Sequence, residues 1–305
     1  MTYAPVPLPS APPGWFDYRF YLLSDGTLGV LRTDRDINGE YRTWWEREQK
    51  ARFPRKMPDF WNGSSKLHRL SDNGESATID VPLVRHPEID RFADGRWLVV
   101  STRAAAGENN ALILDADGRV SCSFHIGDGI EHVRCAPDGS IWVGYFDEGI
   151  FGSSVGAGGI VRFDDQGKRL WSYNDEGRNS SSFIDDCYAL TLNGNELWSC
   201  YYSDFPIILI RNGKETQWGN GVEGAKALAV DGTNVLLAGG YGYDTRLALV
   251  ELDEDKAQLV GSYDRPELSN AALLQGRSSM LHVVNDRVWT RISVAEARSN
   301  LVTRR

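Results

Sequence analysis

Two acidic residues and a histidine are the first candidates for chemistry in this chain. Glu131 and Asp186 each precede a turn glycine, Gly139 and Gly194, by eight residues, and His132 follows Glu131 directly. An equal offset from equivalent turns predicts equivalent positions in neighbouring repeats. A histidine that lies close to a carboxylate can act as a general base. We therefore interpret His132, Glu131 and Asp186 as candidate catalytic residues.

The same acidic residues are candidate metal ligands. A hard divalent ion such as Ca²⁺ takes several oxygen ligands. Carboxylates at the predicted loop ends that could supply them are Glu88, Glu131, Asp185 and Asp186. The alternative is that these carboxylates only solvate the loop ends. No cofactor is certain from the sequence, and a divalent cation such as Ca²⁺ is the one that this pattern favours.

A further set of polar and aromatic residues lies in predicted loops on the same face. Aromatic rings with a polar tip favour sites for sugars, peptides or aromatic metabolites. The alternative is that the tyrosines fill the wedges between packed sheets. The candidate ligand-binding residues are Arg103, Asp147, Tyr145, Tyr201, Tyr202, Tyr241, Tyr243, Lys226, Arg291, Trp44 and Trp45.

Repeated hairpins must position these residues. A turn of the Asp-Gly type precedes an apolar strand six times, at Asp25-Gly26, Asp94-Gly95, Asp138-Gly139, Asn193-Gly194, Asp231-Gly232 and Asn285-Asp286. Such dipeptides tolerate the positive φ of tight hairpins, and a second turn follows in five units. Each unit therefore supplies four strands, and such sheets bury both faces when they stack in a ring. We predict an all-β fold, a six-bladed β-propeller of four-stranded antiparallel blades, with five or seven blades as alternatives.

One turn also resembles the repeat of known propeller families. The stretch Ala136-Pro137-Asp138-Gly139-Ser140-Ile141-Trp142-Val143-Gly144-Tyr145 is similar to the repeats of NHL, two-component sensor, SMP-30/gluconolactonase-like and lyase-type propellers. The resemblance covers about residues 18–292 and implies an architecture rather than an activity. The Glu-Gly-Pro and the Asn-bearing metal cage of the lactonase-like group have no counterpart in this chain.

The sequence is expected to form one domain over residues 1–305. The last unit is short, and rings of this kind are commonly closed by a strand from the other terminus. Either the segment before Trp15 or residues 294–303 should therefore complete it.

An insertion of about 30 residues, at about 34–64, interrupts the first predicted blade, and long structured loops are more often functional than decorative. It is basic and aromatic, and residues 44–52 predict a short helix stopped by Pro54. The insertion is interpreted as a lid over the binding face or as a plug on one edge of the ring.

Composition restricts the class of partner. A net charge of −9 argues against nucleic acid and anionic membrane surfaces. The chain has no apolar run of membrane-spanning length, and its first residues lack the pattern of a secretion signal. The four cysteines form no Cys-x-x-Cys pair, which favours reduced thiols and a cytoplasmic location.

Three functions remain open from the sequence. The first is a cytosolic binding module with a small-molecule pocket on the loop face, capped by the basic aromatic insertion. The second is a metal-assisted hydrolase or lyase acting on a small polar substrate. The third is an interaction scaffold whose insertion docks a protein partner through Trp44, Trp45 and Trp61.

Overall fold

The structure is a computed structural model that describes residues 3–50, 57–71, 74–153, 155–175 and 183–302. Its strands form antiparallel meanders, which we number in chain order. Strand β1 (Val6–Pro7) belongs to the last of them. Meander 1 contains β2 (Phe16–Leu22), β3 (Leu28–Thr33), β4 (Ser65–Ser71) and β5 (Gly74–Asp80). Meander 2 contains β6 (Pro87–Arg91), β7 (Trp97–Ser101), β8 (Ala111–Leu114) and β9 (Val120–Phe124). Meander 3 contains β10 (Ile130–Cys135), β11 (Ile141–Tyr145), β12 (Ile160–Phe163) and β13 (Arg169–Ser172).

The second half of the chain continues this pattern. Meander 4 contains β14 (Asp186–Asn193), β15 (Glu196–Tyr202), β16 (Ile207–Arg211) and β17 (Lys214–Asn220). Meander 5 contains β18 (Ala227–Asp231), β19 (Asn234–Ala238), β20 (Arg246–Asp253) and β21 (Lys256–Asp264). Meander 6 contains β22 (Leu273–Arg277), β23 (Met280–Asn285), β24 (Val288–Ser293) and β1. Helices are few: α1 (Ile37–Glu48), α2 (Asp147–Gly152), α3 (Val294–Val302), and the 3₁₀ turns Gly156–Gly158 and Pro266–Leu268.

Meanders 4 and 5 are joined into one eight-stranded sheet. The join is a short parallel pairing in which Gly219 and Asn220 of β17 lie opposite Lys256 and Ala257 of β21. The other four meanders are separate four-stranded sheets.

The first strands of the meanders lie side by side. Strand β2 contacts β6, β6 contacts β10, β10 contacts β14, β14 contacts β18, β18 contacts β22, and β22 contacts β2. Gly276 of β22 approaches β18 so closely that a Cβ atom there would lie 1.6 Å from the backbone oxygen of Leu228. The all-β prediction is confirmed, and the meanders adopt a propeller-like arrangement around a central axis.

Apolar residues fill the spaces between successive meanders because both faces of each inner strand are covered. Strands β7, β11 and β19 are buried or nearly so along their whole length. The strand tryptophans Trp97, Trp142, Trp198 and Trp289 are buried, as expected. Cys135, Cys187 and Cys200 are buried free thiols, and burial raises the pKa of each, which keeps them protonated and unreactive.

The sixth repeat begins one strand earlier than the sequence interpretation placed it. The Asn285-Asp286 turn joins β23 to β24, the second and third strands of meander 6, rather than its first two. The first strand is β22, and the hairpin that follows it contains Ser278, at a φ of 46°, in place of an Asp-Gly pair. Arg291 therefore lies within β24, where it faces the rings of Tyr3 and Trp289, and not in a loop that leaves a second strand.

The N-terminal segment supplies the fourth strand of meander 6. Val6 and Pro7 pair with Trp289 and Val288 of β24, and the Leu8 N–H donates to the Arg287 oxygen over 2.8 Å. Residues 294–302, the other candidate for this position, form helix α3, whose Ala297 is buried. A proline is tolerated in β1 because this strand lies at a sheet edge.

The helix of the insertion begins earlier than predicted. It is α1, capped by the side chain of Asp36, which accepts from the Gly39 N–H over 3.0 Å. It ends at Glu48, so that the predicted residues 49–50 follow it, and 51–56, with Pro54, lie outside the described residues. The capping side chain at Asp36 was the overlooked start signal. None of the described helices is long and apolar enough to cross a membrane.

Candidate functional site

A cavity of about 1200 Å³ opens at the end of the axis where the first strands begin. The first strands of all six meanders contribute to its wall, through Arg19, Glu88, Glu131, Asp186, Ala227 and Leu273 among others. It therefore lies on the central axis of the molecule rather than between two sheets. Central cavities of this kind are the default binding sites of ring-shaped folds.

Three of the first strands carry a β-bulge at this end. The register against the second strand skips Tyr18 in β2, Glu131 in β10 and Tyr188 in β14. All three bulged residues line the cavity. A bulge leaves one residue unpaired and re-aims its side chain, and bulges are over-represented next to functional sites. The same device in three sheets, directed at one cavity, marks this end of the axis as the candidate site.

The bulges also correct the predicted equivalence of Glu131 and Asp186. The hairpin after β10 encloses five residues between Cys135 and Ile141, whereas the hairpin after β14 encloses two between Asn193 and Glu196. Counting back from the turn glycine therefore reaches different positions of the two strands. When the two strands are aligned by their bulges, Glu131 of β10 corresponds to Tyr188 of β14, and Asp186 lies nearer the mouth of the cavity.

The three predicted catalytic residues line this one cavity. Burial, followed by the carboxylates of Asp147 and Glu131, raises the pKa of Asp186 to about 7. Burial and the carboxylate of Glu88 raise the pKa of Glu131. Carboxyl groups that titrate near neutral pH can exchange protons with a bound molecule.

His132 is a neutral imidazole. Burial and the Arg134 guanidinium lower the pKa of His132 to about 3. Among the described residues its Nε2 atom is buried without a hydrogen-bond partner, and no hydrogen bond joins it to Asp186. A histidine of such low basicity is suited to hydrogen bonding rather than to taking up a proton.

The predicted metal ligands are only partly together. Glu88, Glu131 and Asp186 line the cavity, but Asp185 does not, and its carboxylate accepts from the Ser203 hydroxyl over 3.4 Å. Glu88 instead binds the guanidinium of Arg19 at 3.2 Å. Within the described ranges no three His, Cys, Asp or Glu side chains form a group suited to hold a metal ion.

The tyrosines divide between the core and the surface. Tyr145 and Tyr201 are fully buried between meanders, where Tyr145 donates to the Ile126 oxygen and the Tyr201 and Tyr173 hydroxyls are 3.1 Å apart. Their assignment as ligand-binding residues is therefore corrected to packing, because neither lines the cavity.

Two of the remaining tyrosines, Tyr202 and Tyr241, belong to an aromatic cluster beside the cavity, whereas the ring of Tyr243 faces the guanidinium of Arg246 5.5 Å away. Tyr241 lines the cavity and its hydroxyl bonds that of Tyr188, whose ring contacts Tyr202 and Phe205. Tyr202, Tyr241 and Tyr243 are 44%, 50% and 60% exposed. This cluster is a surface for flat or apolar parts of a ligand.

Two charged residues that were predicted to bind a ligand, Lys226 and Arg103, form ion pairs with neighbouring side chains. Lys226 lines the cavity and binds Asp244 at 3.1 Å. Arg103 binds Asp128 and Glu148, and its guanidinium lies 5.6 Å from the ring of Phe146, which lines the cavity. Asp147 begins helix α2 and acts on the site through its charge near Asp186.

Among the described residues of the insertion, one lines the cavity. Asn38 of α1 lines it and donates to the Tyr18 oxygen over 3.0 Å. Trp44 is half-buried and Trp45 is 49% exposed, but neither lines the cavity. Trp61 is buried and its indole donates to the Tyr18 hydroxyl over 2.8 Å, so the flat exposed three-tryptophan patch that a scaffold would need is not formed.

Sequence reasoning missed several residues that line the cavity, namely Tyr18, Arg19, Asn38, Arg134 and Tyr188. Tyr18 stands eight residues before Gly26, the same offset that singled out Glu131. That signal was available in the sequence. Arg134 carried none, because an arginine inside an apolar strand is indistinguishable from one that reaches the surface.

Replacing Asp186 with Asn should change how stability depends on pH. The folded state holds a proton on Asp186 up to about pH 7, whereas the unfolded carboxyl releases it near its ordinary value of 3.8. Stability from this group is therefore present at low pH and is lost as the pH rises toward neutrality. The margin by which the melting temperature of Asp186→Asn exceeds that of the parent should be larger at about pH 8 than at about pH 5, by about 2–4 °C.

The control for this titration is Asp185→Asn, one position away and outside the cavity. Measured at the same two pH values, this variant shows the effect of removing a carboxylate that does not line the cavity. A difference for Asp186→Asn that does not grow with pH would contradict the assigned environment of Asp186.

Comparison with known proteins gives little beyond the fold. A family model described as the YxzG family matches residues 160–287, less than half of the chain. No curated protein matches the chain. Many solved structures are similar to the chain. The three described below have low sequence identity to it.

The extracellular domain of a one-component system from B. thetaiotaomicron is 10% identical with a TM-score of 0.47, over 97% of this chain and 42% of that one. AztD from Citrobacter koseri is 11% identical with a TM-score of 0.42, over 74% and 61%. The soluble aldose sugar dehydrogenase from Escherichia coli is 12% identical with a TM-score of 0.44, over 77% and 93%. The chain thus spans less than two thirds of the length of the first two. The propeller-like fold rests on the strand topology described above.

Proposed function

We propose that the chain is a six-bladed β-propeller whose central cavity binds a small polar molecule. The six-blade interpretation is supported by the six meanders and by the contacts that lead from β2 through each first strand back to β2. In this interpretation the β17–β21 pairing is a local contact between the outer strands of two neighbouring blades, and β1 closes the ring.

One observation carries the binding function. Three blades use a β-bulge at the same end of the inner strand to turn Tyr18, Glu131 and Tyr188 into one cavity. A bulge costs ladder hydrogen bonds, and packing alone does not require one at this position. The cavity is also larger than a packed protein interior leaves by chance.

The chemistry of the wall indicates the class of ligand. Carboxylates, two arginines, a lysine, an imidazole and tyrosines line the cavity. Such a wall favours a small molecule with polar groups and an apolar part rather than a purely apolar one. Buried free thiols support a reducing compartment, in agreement with a cytoplasmic location.

The binding site is tested by partial filling of the cavity. Ala272 lines the cavity with an exposed side chain, so that Ala272→Trp places an indole in it without displacing core residues. We expect amino acids, polyamines, monosaccharides and CaCl₂, screened by thermal shift, to include compounds that stabilise the parent and not Ala272→Trp. Ala106→Trp, exposed in the loop after β7, is the matched control and should respond like the parent. Equal responses of both tryptophan variants would place binding elsewhere.

A further inference from the structure

The charged side chains that line the central cavity fall into two groups. Most are paired: Asp17 binds Arg32 at 2.8 Å, Arg19 binds Glu88 at 3.2 Å, and Lys226 binds Asp244 at 3.1 Å. Three have no ion-pair partner among the described residues, and these are Arg134, Glu131 and Asp186. The unpaired charges are the part of the wall that is left for a ligand.

Arg134 is an unusual member of this group because it is only 6% exposed. One guanidinium nitrogen donates to the Val133 oxygen over 2.6 Å, and its buried Nε finds no partner in the described part of the chain. The nearby carboxylates are engaged elsewhere: Glu88 binds Arg19, and Asp90 accepts from Ser24 and from the Cys135 N–H. The charges of Glu88 and Asp90 lie near this guanidinium, but no described carboxylate is bonded to it, and its forked geometry suits a carboxylate.

A second unpartnered nitrogen lies on the same strand. His132 precedes Arg134 by two residues, so both project from the same face of β10. The buried Nε2 of His132 also lacks a partner in the described ranges. A neutral imidazole carries one N–H, and the tautomer with this proton on Nε2 places a second donor beside the guanidinium of Arg134 for the oxygen atoms of one anionic group.

The mouth of the cavity opposes a simple anion. Glu131 and Asp186 have no ion-pair partner among the described residues, burial and neighbouring carboxylates raise the pKa of both, and Asp147 adds a negative charge close by. An anion that carries no positive charge would raise these pKa values further, whereas an ammonium group would stabilise both carboxylates in their ionised form and would be attracted to them. A ligand that satisfies both ends therefore carries both charges.

We infer that the central cavity binds a small zwitterion, with a carboxylate at Arg134 and His132 and an ammonium group at Glu131 and Asp186. This inference rests on the proposed function and names its ligand class. Glu131 and Arg134 stand three residues apart on β10, at most about 10 Å along the strand because the bulge at Glu131 shortens it. The two charges of the ligand are therefore separated by an alkyl or similar spacer.

The probe is 6-aminohexanoate, and its matched controls are hexanoate and hexylamine, which keep the chain and one charge each. In titration calorimetry the parent should bind 6-aminohexanoate at least about tenfold more tightly than either control. Arg134→Lys keeps a positive charge beside Glu88 and Asp90 but loses the fork, and should weaken binding of 6-aminohexanoate at least about tenfold.

Arg277→Lys is the matched control variant, because Arg277 lies near Asp90 but does not line the cavity. It should bind 6-aminohexanoate within about twofold of the parent. Equal binding of hexanoate, equal binding of hexylamine, no binding of 6-aminohexanoate, or an unchanged Arg134→Lys affinity would each overturn the inference. If 6-aminohexanoate does not bind while Ala272→Trp still abolishes the response to other compounds, the zwitterion is wrong and the proposed cavity function stands.

Discussion

Ending the chain at Gln275 should abolish the single cooperative unfolding transition of the protein. This truncation removes β23, β24 and α3 and leaves β1 without its partner. It uncovers apolar residues of meander 5 that pack against Leu281, Val283 and Ile292. A ring that lacks most of one blade exposes two apolar sheet faces, so we expect the whole free energy of unfolding, about 5–15 kcal/mol, to be lost.

Thermal and urea unfolding followed by circular dichroism provide the measurement. A chain that ends at Val302 retains every described strand and helix and serves as the control, with a sharp transition. If the chain that ends at Gln275 also melted in one sharp transition near the temperature of the control, the closed ring would be refuted.

Asp90→Ala should produce the largest loss of stability among single substitutions in the first strands of the meanders. The side chain is 1% exposed and accepts from the Ser24 N–H, the Ser24 hydroxyl and the Cys135 N–H over 2.6 to 2.7 Å. These bonds connect the first three meanders below the cavity. Alanine would leave buried donors unsatisfied, and we expect the free energy of unfolding to fall by about 3–5 kcal/mol.

The matched control is Asp94→Ala, in the hairpin that follows the same strand. Asp94 is exposed and binds Arg96 within its own turn, so its removal should cost less than about 1.5 kcal/mol. Urea titrations of both variants give the comparison. A loss below about 1 kcal/mol for Asp90→Ala would show that Asp90 does not hold the meanders together.

Much of the fold was predictable because its tight turns use residue pairs that can be recognised in the sequence. Asp-Gly and Asn-Gly pairs occupy the first hairpins of five meanders, and the glycines have positive φ, as at Gly26 and Gly139. The first hairpin of the sixth meander was not predicted, because Ser278 adopts the positive φ there in place of a glycine. A turn made by a residue that rarely adopts positive φ has no sequence signature.

The site was less predictable because it depends on register and on contacts between meanders. Glu131, Asp186 and His132 were identified from their distance to the turns, and all line the cavity. The bulges at Tyr18 and Tyr188 were not predicted. A bulge skips one residue in the pairing with the neighbouring strand, and this leaves the sequence pattern of the strand unchanged. Ion pairing was also not predictable. Lys226 binds Asp244 and Arg134 is not bound by any described carboxylate, but the sequence does not distinguish these two basic residues.

The tyrosines show the same limit. Tyr145 ends a second strand and Tyr241 follows one, but the first is enclosed by the segments around Gly127 and Gly156 and the second is half exposed to solvent. Burial of a side chain at a strand end depends on the length of the neighbouring loop. That property becomes visible only when the meanders are assembled.

The most direct test of a binding cavity on the central axis is equilibrium dialysis against a cell extract of small metabolites, with mass spectrometry of the retained compounds. The parent and Ala106→Trp should retain the same compounds above their concentration in the dialysate, and Ala272→Trp should lose them. Retention of those compounds by Ala272→Trp at the level of the parent, or retention of none by the parent, would contradict the account.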